Sequence, residues 1–143
     1  MKKIFTLLAL TIGFSMNAQM DDNSANNNSA GAYAVAMGYQ TSASGAYAVA
    51  MGYQTSASGN FSTAMGAFST ASGSISRAMG DQTTASGSYS TTIGSGTTAS
   101  DYASLVIGQY NSSGSSATSA SSFSTSAPAF VIGNGINSIN KSD

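Results

Sequence analysis

Residues 31–44 read GAYAVAMGYQTSAS, and residues 45–58 repeat the same fourteen letters. Three variants follow without a gap: GNFSTAMGAFSTAS at 59–72, GSISRAMGDQTTAS at 73–86 and GSYSTTIGSGTTAS at 87–100. A sixth unit opens at Asp101 with DYASLVIGQYNSSG. Gly38, Gly52, Gly66, Gly80, Gly94 and Gly108 fall on one strict period, and Gly31, Gly45, Gly59, Gly73 and Gly87 on a second, whose sixth place is taken by Asp101. A fixed internal period marks a stacked repeat fold, in which each unit is too small to bury its own apolar face and relies on its neighbours. This period is too short for the common helical repeats and suits two short strands joined by two tight turns. Tyr33, Val35 and Met37 share one parity and Ala34 and Ala36 the other, which is the alternation of a strand. Tyr39 to Ala43 supplies the second short strand. The glycines at 38, 52, 66, 80, 94 and 108 are expected at the corners, where backbone freedom is needed.

Stacking the units turns equivalent residues into columns. Met37, Met51, Met65, Met79, Ile93 and Ile107 form one, expected as core filler because methionine packs into irregular spaces. Tyr33, Tyr47, Phe61, Ile75, Tyr89 and Ala103 form another. Ala36, Ala50, Ala64, Ala78, Thr92 and Val106 form a third, of mostly small residues. The column Val35, Val49, Thr63, Arg77, Thr91, Leu105 cannot be wholly dry interior, since an unpaired arginine there would be costly. Six coils spaced as neighbouring strands would rise roughly 29 Å. So thin a coil leaves apolar surface uncovered, which argues for an oligomer.

Composition narrows the function. Of 143 residues only 6% are charged, the formal net charge is −1, and there is no His or Cys. A nucleic-acid footprint needs clustered basic residues, so no nucleic-acid partner is expected. The 41% hydrophobic share, set on a period, separates the chain from disordered sequences. Met1-Lys2-Lys3, the apolar run Ile4 to Phe14 and the polar stretch to Gln19 have the layout of a secretory signal peptide. Residues 1–18 are therefore expected as signal peptide and 19–30 as a flexible leader. Residues 31–114 hold the repeats, 115–129 a Ser-rich loop insertion and 130–143 a terminal coil, whose Phe130-Val131-Ile132-Gly133 echoes Leu105-Val106-Ile107-Gly108. Export follows, to the cell surface or the medium.

These units resemble the head repeats of YadA-like trimeric autotransporter adhesins, whose pattern is roughly S-x-A-x-G-x-x-S/T-x-A. Ser62, Ala64, Gly66, Ser69 and Ala71 match it, and Ser76, Ala78, Gly80, Thr83 and Ala85 match it again. Ala34 and Ala48 replace the serine in the first two units, and Thr92 replaces the alanine in the fifth. The resemblance covers 31–108. It implies an all-β, left-handed parallel β-roll, a homotrimer, an outer-membrane-associated location and attachment to host, matrix or glycan surfaces, with the motif residues as scaffold and a possible adhesive face. No heptads and no alternating barrel strands follow the repeats, so this segment is not expected to insert in a membrane. A portion of a longer chain, or a head on another carrier such as a fibre, fits that reading.

Catalytic, cofactor and metal sites are not expected. The acidic residues Asp21, Asp22, Asp81, Asp101 and Asp143 place no two ordered carboxylates in one repeat. Nucleophile–base pairs lack their usual members. The calcium-binding G-G-x-G-x-D repeat and the phosphate-cradling glycine loop are both missing. One rival to adhesion is ice binding by adjacent hydroxyl ladders: Thr41, Thr55, Ser69, Thr83 and Thr97 beside Ser42, Ser56, Thr70, Thr84 and Thr98. The plainer expectation for those columns is a solvated face with good strand propensity.

Overall fold

Each of the first five fourteen-residue units makes one long strand and one short one, and the sixth makes the long strand alone. The computed structural model describes residues 27–143 apart from Ser113 and Ser115, so the expected signal peptide and residues 19–26 of the leader lie outside the described residues. The strands are β1 (Val35–Tyr39), β2 (Ser42–Ala43), β3 (Val49–Tyr53), β4 (Ser56–Ala57), β5 (Thr63–Ala67), β6 (Thr70–Ala71), β7 (Arg77–Asp81), β8 (Thr84–Ala85), β9 (Thr91–Ser95), β10 (Thr98–Ala99), β11 (Leu105–Gln109) and β12 (Phe130–Asn134). The long strands stack as a seven-stranded parallel sheet, β1-β3-β5-β7-β9-β11-β12, and the short ones as a five-stranded sheet. The result is an all-β parallel solenoid of five complete coils, with β11 and β12 extending the long sheet. Register is strict: Met37 pairs with Met51, Met65 with Met79, and Val106 with Val131 across the Ser-rich insertion.

The interior is made of small side chains. Among the described residues, eleven of the thirteen buried hydrophobic ones are alanines; the others are Val106 and Val131. Ala36, Ala50, Ala64 and Ala78 point inward from the long strands, and Ala43, Ala57, Ala71, Ala85 and Ala99 meet them from the short ones. Thr41, Thr55, Ser69, Thr83 and Thr97 are also fully enclosed. The large residues stand outside: Tyr33, Tyr47, Phe61, Met65, Tyr89 and Ile93 are all exposed. This corrects the expectation that the methionine column fills the core. The space between the two sheets takes alanine, serine, threonine and valine and none of the methionine or aromatic side chains. The alternation was read correctly, but its two faces exchange places.

The corners are also differently built. Gly38 lies inside β1, two residues before the bend at Gln40, and its equivalents sit alike in their strands. The left-handed backbone at the bends belongs mostly to non-glycine residues, for instance Gln40, Gln54 and Gln82 at one corner, where Gly96 takes the place in the fifth coil, and Tyr33, Tyr47 and Phe61 at the other. Such a conformation costs an L-residue roughly 1–2 kcal/mol. The stack over-determines it, because each corner continues the inter-coil ladder: Tyr47 N donates to Ala32 O at 2.8 Å and Gln54 N to Tyr39 O at 2.8 Å. Gly66 has a different role. At φ 109° its missing Cβ leaves room for the coil above, whose Gly80 carbonyl oxygen a side chain would overlap and whose carbonyl carbon it would meet at 2.9 Å. The second glycine series makes the same kind of approach, and the run ends with Gly87 beneath Asp101. Above Asp101 the chain departs into the insertion, so this is the first place in the series with room for a side chain. Asp101 uses it to hold the insertion, its Oδ1 accepting from Thr118 N at 2.6 Å and Ser119 N at 2.7 Å.

Both ends of the threonine column carry asparagine. Asn27 stands one period before Thr41, and Asn111 one period after Thr97. Asn27 Oδ1 accepts from the backbone N and the Oγ1 of Thr41, each at 3.0 Å, and its Nδ2 donates to Gly38 O at 2.7 Å. Asn111 Oδ1 accepts from Thr98 N at 2.8 Å while its Nδ2 donates to Thr98 O at 2.9 Å. The two side-chain amides take the place of missing ladder partners at the ends of the short sheet, where open edges would otherwise be left. Residues 27 and 28, read as leader from sequence, thus pack on the first coil, with Asn28 bridged to Ser42.

Candidate binding surface

The outer side of the seven-stranded sheet is built from three columns at alternate strand positions. They begin at Val35, Met37 and Tyr39, and each strand adds one residue to each column. The central column changes from Met37, Met51, Met65 and Met79 to Ile93, Ile107 and Ile132, half-buried or exposed throughout. Arg77 is exposed, which agrees with the reading that its column is not dry interior. Beside this face runs a ridge of aromatic rings at the left-handed corner. Tyr33 and Tyr47 stack with centroids 5.0 Å apart, and Tyr47 and Phe61 at 4.9 Å and 2° between planes. Tyr39 and Tyr53 stack at 5.3 Å on the opposite edge, where Phe68 meets Tyr53 edge-on. The stacked rings cover one another's faces and remain exposed as residues. Gln54 Nε2 donates to Gln40 Oε1 at 2.6 Å, so the first two coils carry a linked amide pair on the same edge.

The residues singled out from the repeat motif divide sharply. Ser62, Ala64, Ser69, Ala71, Ser76, Ala78, Thr83 and Ala85 are all buried, so they are scaffold and cannot form an adhesive face. Some of the hydroxyls are tied inside: Ser69 Oγ donates to Gly80 O at 3.0 Å, and Thr83 Oγ1 to Ser69 Oγ at 2.8 Å. Those of Ser62, Ser76 and Ser90 have no hydrogen-bond partner. Gly66 and Gly80, with Gly38, Gly52, Gly94 and Gly108, form the line of close backbone approach described above. The paired hydroxyl ladder is split by the fold. The Thr41 column is inside, and only the half-buried column of Ser42, Ser56, Thr70, Thr84 and Thr98 lies on the short sheet's outer side. A two-column ice-binding face is therefore missing from these rows. Among the described residues no three His, Cys, Asp or Glu side chains come together as a metal site.

The geometry defines the class: a parallel β-solenoid with a small-residue interior and its large side chains displayed in regular outer rows. The YadA head domain repeat matches at residues 29–55, 43–69, 57–74 and 71–97. The repeat segment 29–97 thus matches the YadA head domain repeat, a family that suggests an adhesin-type trimeric autotransporter head. Comparison with curated proteins and with solved structures gives no match. The outer rows were the part sequence reasoning missed. Their signal was present in the aromatics at or beside the bends, two in each of the first three units, which no alanine-filled interior could accept.

Proposed function

We propose that the chain is the head of an exported, surface-displayed adhesin that assembles as a homotrimer and attaches by many weak contacts to host, matrix or glycan surfaces. The observation that carries this reading is the inversion of the coil: small residues fill the interior, and the large apolar and aromatic ones form continuous outer rows. The methionine–isoleucine face of the long sheet is the part suited to association between subunits, because burying half-exposed side chains of this size is favourable by about 25 cal/mol per Å². The Tyr33 ridge, the Gln40–Gln54 pair and the Ser42 column are the parts suited to display. Contacts of one kind recur in several coils, identically in the first two, and three chains multiply them, so later contacts form at high effective concentration. With so few charges on display, binding should resist chelators and depend only mildly on salt.

The test changes the number of coils without touching their chemistry. Deletion of residues 45–58 removes one whole coil from an identical pair, and duplication of the same segment adds one. Trimers of each length are then compared on immobilised matrix proteins and a glycan array. Affinity that rises steeply with coil number supports the proposal. Equal binding at every length removes the avidity mechanism, and no binding to any surface favours a structural role in a fibre.

A further inference from the structure

The strands of the long sheet carry two charges, and both belong to β7: Arg77 at its first residue and Asp81 at its last. They share the outward parity with Met79, and both are exposed. Four residues of extended chain hold them roughly 13 Å apart. Among the described residues neither makes an ion pair; Asp81 Oδ2 only accepts a long hydrogen bond, 3.3 Å, from the neighbouring Gln82. One cation and one anion thus mark the two edges of a single level in an otherwise uncharged face.

A repetitive face has a register problem. Coils one and two are identical, and the central column holds methionine over four levels and isoleucine over three. Sliding one copy past another by one coil, about 4.8 Å, would exchange like for like along most of that column. Apolar contact alone therefore fixes association without fixing its level. A ring of parallel copies joins by a heterologous contact, in which the strand-start edge of one copy meets the strand-end edge of the next. Residues of one strand lie at one level, so an aligned ring brings Arg77 of each copy to Asp81 of its neighbour. A slip by one coil sets Arg77 against Ala67 or Ser95 and leaves both charges without partners at a partly desolvated seam.

We propose that Arg77 and Asp81 form the register clamp between copies of this chain, selecting the aligned assembly over those slipped by one coil. The inference rests on the assembly reading above and adds the contact that sets its level. Polar groups placed once in a repetitive apolar seam are known to select register in this way.

The experiment uses the full chain. Thr91→Cys and Ser95→Cys are introduced together one level above the clamp, so that aligned neighbours become joined by disulfides and slipped ones do not; the natural sequence has no cysteine. In this background Arg77→Asp, Asp81→Arg and the double reversal are compared by sedimentation and by the yield of covalent ring. Each single reversal should lower the aligned, crosslinked fraction and weaken assembly by about ten-fold, as for removal of a close charge pair at an interface. The double reversal should restore both. Crosslinking as complete in the single variants as in the parent would overturn the clamp while leaving the assembly intact. A parent that sediments as a monomer would overturn the assembly reading along with it.

Discussion

Gly66→Ala is the smallest change that tests how the coils are held together. One methyl group is added at an exposed strand position, and the outward rows of large side chains are left as they are. Two costs arise. The backbone at φ 109° lies outside the regions open to L-residues, and strain of that kind amounts to about 1–3 kcal/mol. The new Cβ would overlap the Gly80 carbonyl oxygen and sit 2.9 Å from its carbon, and both atoms belong to the backbone of the next coil. No rotamer change relieves that contact. Coils three and four must separate locally, and β5 and β7 then lose the middle of a ladder that runs Thr63–Arg77 to Ala67–Asp81. Two or more backbone hydrogen bonds at about 1 kcal/mol each bring the expected loss to more than about 3 kcal/mol. In a domain of this size that lowers the melting temperature by more than about 12 °C. Thermal and urea unfolding followed by circular dichroism measure it, with Ser72→Ala as the control on the exposed rim of the same coil. The control should fall within about 0.5 kcal/mol of the parent. Coincident unfolding curves for the two variants would show that the glycine line is not the place where the coils meet.

Ser76→Ala should raise stability by about 1 kcal/mol, because its buried hydroxyl has no partner and alanine already occupies the equivalent places 34 and 48; calorimetry gives the sign directly. Asn111→Ala should expose the upper end of the short sheet, cost about 1–3 kcal/mol and speed amide exchange at Thr98 and Ala99 before that of the earlier coils. Asp101→Ser shortens the side chain that holds Thr118 and Ser119, so limited proteolysis should cut within 116–129 several times faster while the melting of the coils moves little.

The period, the parallel stack and the parity of each long strand were legible because they follow from repetition alone: whatever one unit does, the next must do 4.8 Å away, within about a tenth of an ångström. Which parity faces inward was not legible by the usual rule. Large apolar side chains ordinarily mark the core, and here Met37 and Tyr39 mark the outside while Ala36 and Ala43 mark the inside. The deciding quantity is the separation between two sheets joined by two residues on one side of each coil and five on the other, which composition does not report. The left-handed bends at Tyr33 and Gln40 were hidden for a related reason. Such positions normally select glycine or asparagine, and only the stacked neighbours above and below hold these residues there. The terminal caps Asn27 and Asn111 could have been found by continuing the threonine column one period in each direction. The family motif was recognised on residues that turn out to be interior, so it identified the scaffold and carried no information about the surface.

The repeats themselves show where specificity can reside. Within this single chain each column is a small experiment in substitution under a constant fold. The inward column from Ala43 to Ala99 is alanine at every level, and the column from Ala34 to Ser104 alternates between alanine and serine only. The outward column that starts at Tyr39 continues as Tyr53, Ala67, Asp81, Ser95, Gln109 and Asn134. Packing explains the difference: in these two columns an added methylene would crowd the interior, and the third inward column enlarges only to Thr92, Val106 and Val131 at the far end, whereas an outward residue meets solvent or a partner. A change of target would therefore have to be written in the outward columns, and the interior could remain constant while it happened. The identical outer rows of coils one and two present one surface twice, and the diverging rows of coils three to five present different ones. Binding that needs repetition should map to the first two coils, and contacts that need a unique level, such as the Arg77–Asp81 clamp, to the fourth. The same division explains how a fold with almost no chemical variety inside can serve as a carrier for varied surfaces.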